Sequence, residues 1–502
     1  MNNSENYLHN IADRSYIQKE LKQKAVRGAS VTIASRLGEH AVHMISVIVL
    51  ARLLTPKHFG LVAMVASVGS VFNVFKDLGL SDATIQAPQI DHKQVSTLFW
   101  VNSLFGLGIS LLFIVFSPLI ALFFKEPELV NIAIFFSLSF IFAGLSIQHM
   151  ALLKRRMEFS KIAVISLGSS VVSVAAAIAA AALGFGYWAI IVRQVVLAVV
   201  LAVGAWVFCS WRPGKPSSLA GVLPMIKFGA NIIGFYVLNY FAQNLDKTLI
   251  GWRNGAKMLG FYDRAYQLSG MPIETMTLPV QSVAVTTLSK LVNEPDNFKR
   301  YYLNALSILA FVGMPLSAFL AVVSKDLVLL LLGPQWGFTS DIFFFLSMGI
   351  GAQILYATQG WLHISMGRTD RWVKWGLVAT PIILLSYVLG LRWGITGVAV
   401  FRTASFMILL LPGLWYAGKP INLKLSRILS EIWRYALCAL VAGVLCALFV
   451  IPRLAPFNIG LRLGVSLCAY LVIYLASIVT IHRSTGPIKR VFSLLKLLLP
   501  AY

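Results

Sequence analysis

The chain has 502 residues, of which 58% are hydrophobic and only 12% are charged. A soluble domain carries about 25% charged residues, so the composition excludes an ordinary soluble protein. The formal net charge of +23 does not favour nucleic-acid binding, because the cytoplasmic loops of membrane proteins carry an excess of Lys and Arg.

Apolar stretches long enough to cross a ~30 Å hydrocarbon core recur along nearly the whole chain. About fourteen spans are predicted: 28–52, 58–80, 95–124, 129–153, 161–184, 187–209, 221–251, 264–288, 302–323, 339–364, 372–391, 395–417, 433–451 and 460–481. A spanning segment has to satisfy its own backbone hydrogen bonds without water, so the spans are expected to be helices. The predicted fold class is therefore all-α, a polytopic membrane protein of about 14 transmembrane helices.

Basic residues in alternate loops set the predicted orientation. They cluster before the first span and after the fourth, for example at Lys22, Arg27, Lys154 and Arg155. An excess of Lys and Arg marks the cytoplasmic side, so both termini are predicted to be cytoplasmic. The terminal segments 1–27 and 486–502 mix charges with apolar side chains and are predicted to be amphipathic and interfacial; ordinary flanking sequence is the alternative.

The two halves of the chain resemble each other at an offset near 200 residues. Three segments recur in the same order: ARLLTPKHFG and GWRNGAKMLG, SPLIALFFKEPEL and SKDLVLLLLGPQW, and LGFGYWAIIVRQ and LRWGITGVAVFR. In the last pair of segments, Arg193 and Arg402 occupy nearly equivalent positions. Six spans per half predict a parallel repeat with a central cleft between two lobes. The predicted domains are an N-lobe at 28–210, a C-lobe at 219–418 and two extra helices at 431–482.

Ionisable and amide side chains form stripes inside several spans. Each charge near a helix centre costs about 2.5–3.5 kcal/mol, so it usually faces a cavity or a partner. Helical spacing places the group in the first span on one helix face, and it does the same for the group in the seventh span. The candidate cavity residues are Arg36, Glu39, His40 and His43 in the first span, Asn239, Gln243, Asp246 and Lys247 in the seventh, Lys76 and Asp77 in the second, and Arg52, Arg253, Arg264 and Glu274 elsewhere.

Two interpretations of these stripes remain open. The charges could neutralise each other, Arg36 with Glu39 or His40 and Asp246 with Lys247, and those near span ends could snorkel. Alternatively, the first and seventh spans line an aqueous, cationic cavity. In that case Glu39, beside Arg36 and His40, is a candidate coupling carboxylate. The hypothesis is refuted if the Glu39→Gln variant exports normally across pH and with the proton gradient collapsed.

Signatures of enzymes are absent from the sequence. There is no GxxxxGK[ST] phosphate loop and no HExxH motif. No predicted outer loop exceeds about a dozen residues, so no outer domain is expected to hold a catalytic site. The chain is therefore predicted not to be an enzyme, with no metal and no cofactor beyond coupling to a proton or sodium gradient or to the membrane potential.

Several motifs resemble the Wzx-type polysaccharide flippases of the MOP superfamily, in the branch of the colanic-acid and succinoglycan exporters. They are GASVTIASRLGEHAVHMISVIVLARLLTPKHFGLVAMV, LGLSDATIQ, TLFWVN, ALLKRRMEFSKI, KFGANI, LDKTLIG and LGFYDRAY, and the resemblance runs over about residues 20–480. It implies two six-helix lobes in a MATE-like V shape plus two extra helices, working by alternating access. It also implies that Arg36, Arg52, Arg253 and Arg264 match cationic lumen positions that hold a diphosphate.

The predicted function is export of an undecaprenyl-diphosphate-linked oligosaccharide repeat across the bacterial inner membrane. The expected partners are that lipid-linked substrate, membrane lipids and the polysaccharide polymerase and chain-length proteins, but no nucleic acid, and a monomer is expected to suffice. The alternatives are a cation-coupled multidrug exporter of the same superfamily, a membrane enzyme of polysaccharide assembly, and a lipid II flippase of cell-wall synthesis.

Overall fold

The computed structural model describes residues 28, 30–75, 80–87, 90–217 and 223–482. Every regular element in these ranges is helical, as the composition predicts. The predicted interfacial segments 1–27 and 486–502, and the candidate residues Lys76 and Asp77, lie outside them.

Seventeen α-helices follow one another along the described chain. They are α1 (Ser30–Leu53), α2 (Pro56–Phe75), α3 (Leu80–Gln86), α4 (His92–Phe124), α5 (Leu129–Arg155), α6 (Phe159–Ala182), α7 (Trp188–Phe208), α8 (Leu223–Lys290), α9 (Pro295–Val322), α10 (Ser324–Leu332), α11 (Gly337–Met348), α12 (Ile350–Ser365), α13 (Thr369–Gly390), α14 (Gly394–Gly418), α15 (Leu425–Leu445), α16 (Ile451–Leu454) and α17 (Ile459–His482).

The helices are long and apolar enough to make this a multi-pass membrane protein. Within the described ranges, nine helical stretches could cross a membrane, or ten if the bent pair Pro334–Met348 and Ile350–Ser365 forms one span. One stretch, Thr369–Ile421, contains both α13 and α14. The predicted second span begins in the shorter α2, and the predicted seventh and eighth spans both fall in α8.

The chain divides into two compact units, Met1–Tyr240 and Phe241–Tyr502. In the first unit, α4 and α5 approach so closely that a Cβ on Gly106 would lie 2.7 Å from the Phe140 carbonyl oxygen. Small residues permit such backbone contact between membrane helices. The aromatic rings of Phe113, Phe136 and Phe140 pack beside this contact.

The second unit has two hydrophobic clusters that share α9. In one, buried side chains of α9, α12, α14 and α15 surround Tyr302, whose hydroxyl lies 2.9 Å from the Thr358 hydroxyl. In the other, α15 and α17 pack on α9, and the Tyr474 hydroxyl donates to the Phe311 carbonyl at 2.8 Å. An ion pair between Arg462 and Asp326 also ties α17 to α10, so the last two long helices belong to the second unit.

Left-handed corners recur at a regular interval. Lys125 and Gly333 both have positive φ and lie 208 positions apart, and Gly186 and Gly394 are separated by the same interval. A third pair, Met157 and Gly367, is 210 positions apart. These corners follow equivalent helices of the two sequence halves, at nearly the offset of the repeated segments that begin at Ser117 and Ser324.

Candidate functional site: a buried ion-pair network in the second unit

Helix α8 folds back on itself at Gly255, where φ is 80° and ψ is 175°. Residues 16 apart in a straight helix are separated by about 24 Å. Yet the Tyr262 hydroxyl donates to Asp246 Oδ2 at 2.6 Å. The arms before and after Gly255 therefore lie side by side, which matches the two separate spans predicted there.

The network has two groups of side chains, each built around an aspartate. Asp246 lies at the centre of the first group and is 0% exposed. Besides the Tyr262 hydroxyl, its carboxylate faces Nη1 of Arg402 on α14 at 3.4 Å, and it accepts from the Lys247 backbone N–H at 2.8 Å. The same guanidinium donates to the Tyr387 hydroxyl of α13 at 2.5 Å. Arg402 thus supplies a countercharge, which a buried carboxylate requires, whereas the side chain of Lys247 forms its ion pair with Asp263.

Lys247 instead pairs with Asp263 on the other arm of α8. Its Nζ lies 2.9 Å from Asp263 Oδ1, while Oδ2 lies 2.7 Å from Arg264 Nη2. The Gln267 side-chain amide also donates to Oδ2, at 3.1 Å. One carboxylate therefore holds two cations and an amide.

Tyr266 joins the two groups of the network. Its ring centroid lies 4.5 Å from Lys247 Nζ and 4.7 Å from the guanidinium carbon of Arg402, and both distances suit cation–π contacts. Around Tyr266 the network thus joins three cations, Lys247, Arg264 and Arg402, and the two aspartates.

The predicted stripe of the first unit is more open. Arg36 is exposed, Glu39 and His40 are half-buried, and the Ser35 hydroxyl donates to Glu39 Oε1 at 3.1 Å. Among the described side chains, no ion pair joins Arg36 to Glu39. Half-buried His43 has its Nδ1 3.2 Å from Nη2 of Arg193 on α7.

The structure brings together only some of the predicted site residues. Asp246, Lys247 and Arg264 meet in the network, whereas Arg52, Arg253 and Glu274 are exposed. Within the described part of the chain, no hydrogen bond or ion pair links Arg253 or Glu274 to the network. The side chains of Asn239 and Gln243 lie outside the described residues.

Sequence reasoning missed the carboxylate and the hydroxyls that complete the network. They are Asp263, Tyr262, Tyr266 and Tyr387, and Arg402 had been noticed only as the counterpart of Arg193. The acidic–basic pair Asp263–Arg264 within the apolar motif LGFYDRAY was the available signal, since charges in a span imply a partner. Over the described residues, no group of three or more His, Cys, Asp or Glu could hold a metal ion.

Comparison with known proteins shows the family of the chain. The polysaccharide biosynthesis protein family matches residues 49–341. The chain is 26% identical to teichuronic acid biosynthesis protein TuaB of Bacillus subtilis, covering 82% of this chain and 86% of TuaB. It is 23% identical to lipopolysaccharide biosynthesis protein WzxC of Escherichia coli, over 74% and 76% of the two chains. For succinoglycan biosynthesis transport protein ExoT of Rhizobium meliloti, the identity is 24% over 65% and 66%.

Two solved structures share the fold. The lipid II flippase MurJ in an inward closed conformation superposes with a TM-score of 0.71 at 18% identity, covering 91% of this chain and 99% of MurJ. An inward-facing multidrug resistance MATE family transporter of the MOP superfamily gives a TM-score of 0.60 at 14% identity, covering 78% and 98%. The all-helical, polytopic, MATE-like fold predicted from the sequence is thereby confirmed.

Proposed function

Since the chain belongs to the polysaccharide biosynthesis protein family and is a MOP-superfamily membrane transporter rather than an enzyme, we propose that it flips an undecaprenyl-diphosphate-linked oligosaccharide repeat. The repeat would move from the cytoplasmic to the outer leaflet of the bacterial inner membrane. TuaB is named for teichuronic acid biosynthesis, WzxC for lipopolysaccharide biosynthesis, ExoT for succinoglycan biosynthesis and transport, and MurJ for flipping lipid II. These names support a lipid-linked sugar as the substrate class.

The observation that carries the proposal is the group of three cations in the buried network. Lys247, Arg264 and Arg402 lie together with Asp246 and Asp263 inside a helical membrane unit. Ionisable side chains inside a membrane unit mark a substrate pathway by default, and an anion is the ligand that lysine and arginine suit. A guanidinium gives bidentate, charge-assisted contacts to phosphate, and a diphosphate is the anionic part of this substrate class.

The transport cycle is proposed to work by alternating access. The diphosphate would contact Arg264 of the network, while the lipid tail stays in the bilayer. Arg36, Arg52 and Arg253, which the resemblance matches to cationic positions, are exposed and are proposed separately as contacts. With the outside positive, the membrane potential favours outward movement of an anion by about 2.3 kcal/mol per charge per 100 mV. Glu39, half-buried in α1, is the proposed coupling carboxylate if a proton or sodium gradient contributes.

The proposed setting is the inner membrane with both termini in the cytoplasm. A single chain would suffice, because the sequence repeat predicts two six-helix groups in one polypeptide. The released repeat would pass to the polysaccharide polymerase and chain-length proteins on the outer side.

A deletion strain provides the test. We expect surface polysaccharide to be lost and the lipid-linked repeat to accumulate in the cytoplasmic leaflet, measured by its resistance to a sugar-oxidising reagent that cannot cross the membrane. Accumulation of single repeats in the outer leaflet would indicate a polymerisation defect instead. Unchanged polysaccharide together with increased sensitivity to cationic drugs would contradict the proposal and favour a drug exporter.

A further inference from the structure

Asp263 is the least exposed member of the cluster that it forms with two cations. The side-chain exposure is 6% for Asp263, 9% for Arg264 and 16% for Lys247. The surface that the cluster leaves accessible is therefore greater on the two cations than on the carboxylate.

The bond from Arg264 to Asp263 is not one that helix geometry provides. Adjacent residues of a helix do not face each other, yet Arg264 Nη2 lies 2.7 Å from Asp263 Oδ2. The guanidinium is therefore turned back along the helix surface by the carboxylate. The same aspartate fixes Lys247 across the fold of α8 at 2.9 Å.

Fixing these side chains reduces what a ligand has to order. The long side chains of Lys and Arg lose rotamer entropy when they are fixed in one geometry, and ordering them before binding removes that cost from the binding step. The side-chain amide of Gln267, 3.1 Å from the same oxygen, further restrains the carboxylate.

We propose that Asp263 is a positioning residue: it orients Lys247 and Arg264 for the anionic group of the substrate without contacting that group itself. This inference rests on the proposed function and adds a role for a residue of the network that carries the wrong charge for the ligand. The chemistry recognised is a diphosphate, whether attached to a lipid or free.

The rival explanation, that Asp263 is only a countercharge, predicts the opposite sign. Removing a negative charge near an anion site strengthens anion binding by simple electrostatics. Removing a positioning group weakens binding, because the two cations lose their fixed orientation. The direction of the change in Asp263→Asn therefore separates the two explanations.

The experiment measures binding of farnesyl diphosphate to the purified full-length protein in nanodiscs, with inorganic pyrophosphate in a parallel titration. We expect Asp263→Asn to weaken farnesyl diphosphate binding roughly tenfold to hundredfold, the equivalent of one lost charge-assisted hydrogen bond, and Asp263→Glu to recover most of the affinity. Binding of both probes would identify the diphosphate alone as the recognised group, and binding of farnesyl diphosphate only would identify a lipid-linked source. In either case the Asn variant has to weaken binding for the proposal to stand.

The matched control is Asp326→Asn. Asp326 is also a buried carboxylate of the second unit that pairs with an arginine, Arg462, but it is not part of the network. We expect this variant to bind farnesyl diphosphate like the unsubstituted chain. An equal loss of affinity in both variants would overturn the positioning role, because any broken ion pair would then suffice.

A double-mutant comparison covers the case in which Asp263→Asn does not fold. The double variant Asp263→Asn, Arg264→Gln should bind farnesyl diphosphate more weakly than Arg264→Gln alone, since Asp263 still orients Lys247 when Arg264 is gone. Tighter binding by the double variant would overturn the inference in favour of a countercharge. If the unsubstituted chain binds neither probe, the proposed function fails and this inference fails with it; normal binding with an unweakened Asn variant overturns the inference alone.

Discussion

The two units place an arginine at a similar position but give it different partners. In each half of the sequence, an arginine of the sixth predicted span of that half contacts the first: Arg193 with His43 at 3.2 Å and Arg402 with Asp246 at 3.4 Å. Arg402 is only 5% exposed, whereas Arg193 is half-buried. A carboxylate cancels the charge of a guanidinium and an imidazole does not. We therefore expect the second pair to be required for folding and the first to tolerate exchange.

Removing the carboxylate of the second pair should have the largest effect. Asp246→Ala leaves Arg402 buried without its countercharge, and breaking a buried pair in this way costs about 3–5 kcal/mol. We expect a large fall in the thermal unfolding midpoint of the purified protein, with loss of folded protein from the membrane.

The double variant Asp246→Ala, Arg402→Leu is the control for that loss. Replacing both charges with apolar groups is often nearly neutral, so the double variant should be more stable than Asp246→Ala alone. If the two variants unfold at the same temperature, Arg402 is not the countercharge of Asp246.

The corner at Gly255, which permits the buried network, should be the next most sensitive position. Gly255 has φ 80° and ψ 175°, a conformation almost restricted to glycine, which costs other residues about 1–3 kcal/mol. Gly255→Ala should therefore lower the unfolding midpoint although a Cβ there would contact nothing within 4 Å.

The first unit offers a matched control at the corresponding corner. There Leu54 and Thr55 separate α1 from α2, and Pro56 begins the new helix, a position that suits proline. Leu54 does not require positive φ, so Leu54→Met should leave stability nearly unchanged. A similar loss in both variants would argue against backbone strain at Gly255.

The sequence predicted the helices, and the helix face that carries the charged residues, better than it predicted the residues that pair with them. Hydropathy placed both arms of α8, and helical spacing put Asp246 and Lys247 on one face. Neither rule identifies a partner from another helix, because spacing describes only a single helix. Arg402 lies 156 positions beyond Asp246, and Asp263 reaches Lys247 only because the chain reverses at Gly255. The periodic pattern of apolar residues does not predict that the chain reverses its direction at Gly255.

Arg36 tests whether the first unit contributes function rather than stability. It is exposed on α1, so Arg36→Ala should leave the unfolding midpoint unchanged. If it contacts the diphosphate, export should fall about tenfold, as expected for one charge-assisted contact. Polysaccharide output in a complemented deletion strain is the measurement. Arg453→Ala, an exposed arginine of α16, should export normally; equal losses in both variants would remove the special role of Arg36.

The smallest expected effect comes from making the first pair resemble the second. His43→Asp would place a carboxylate near Arg193, and a partly exposed pair contributes at most about 1 kcal/mol. That gain corresponds to a rise of about 2–4 °C in the unfolding midpoint of a unit of this size. His43→Asn keeps an acceptor oxygen without the charge and should give no rise.

In an Arg193→Leu background, His43→Asp should instead lower the midpoint, because the new carboxylate then lacks the guanidinium. A rise that persists in that background would show that the stabilisation does not come from the pair, and the contrast between the two units would then lie in their surroundings rather than in the residue opposite the arginine.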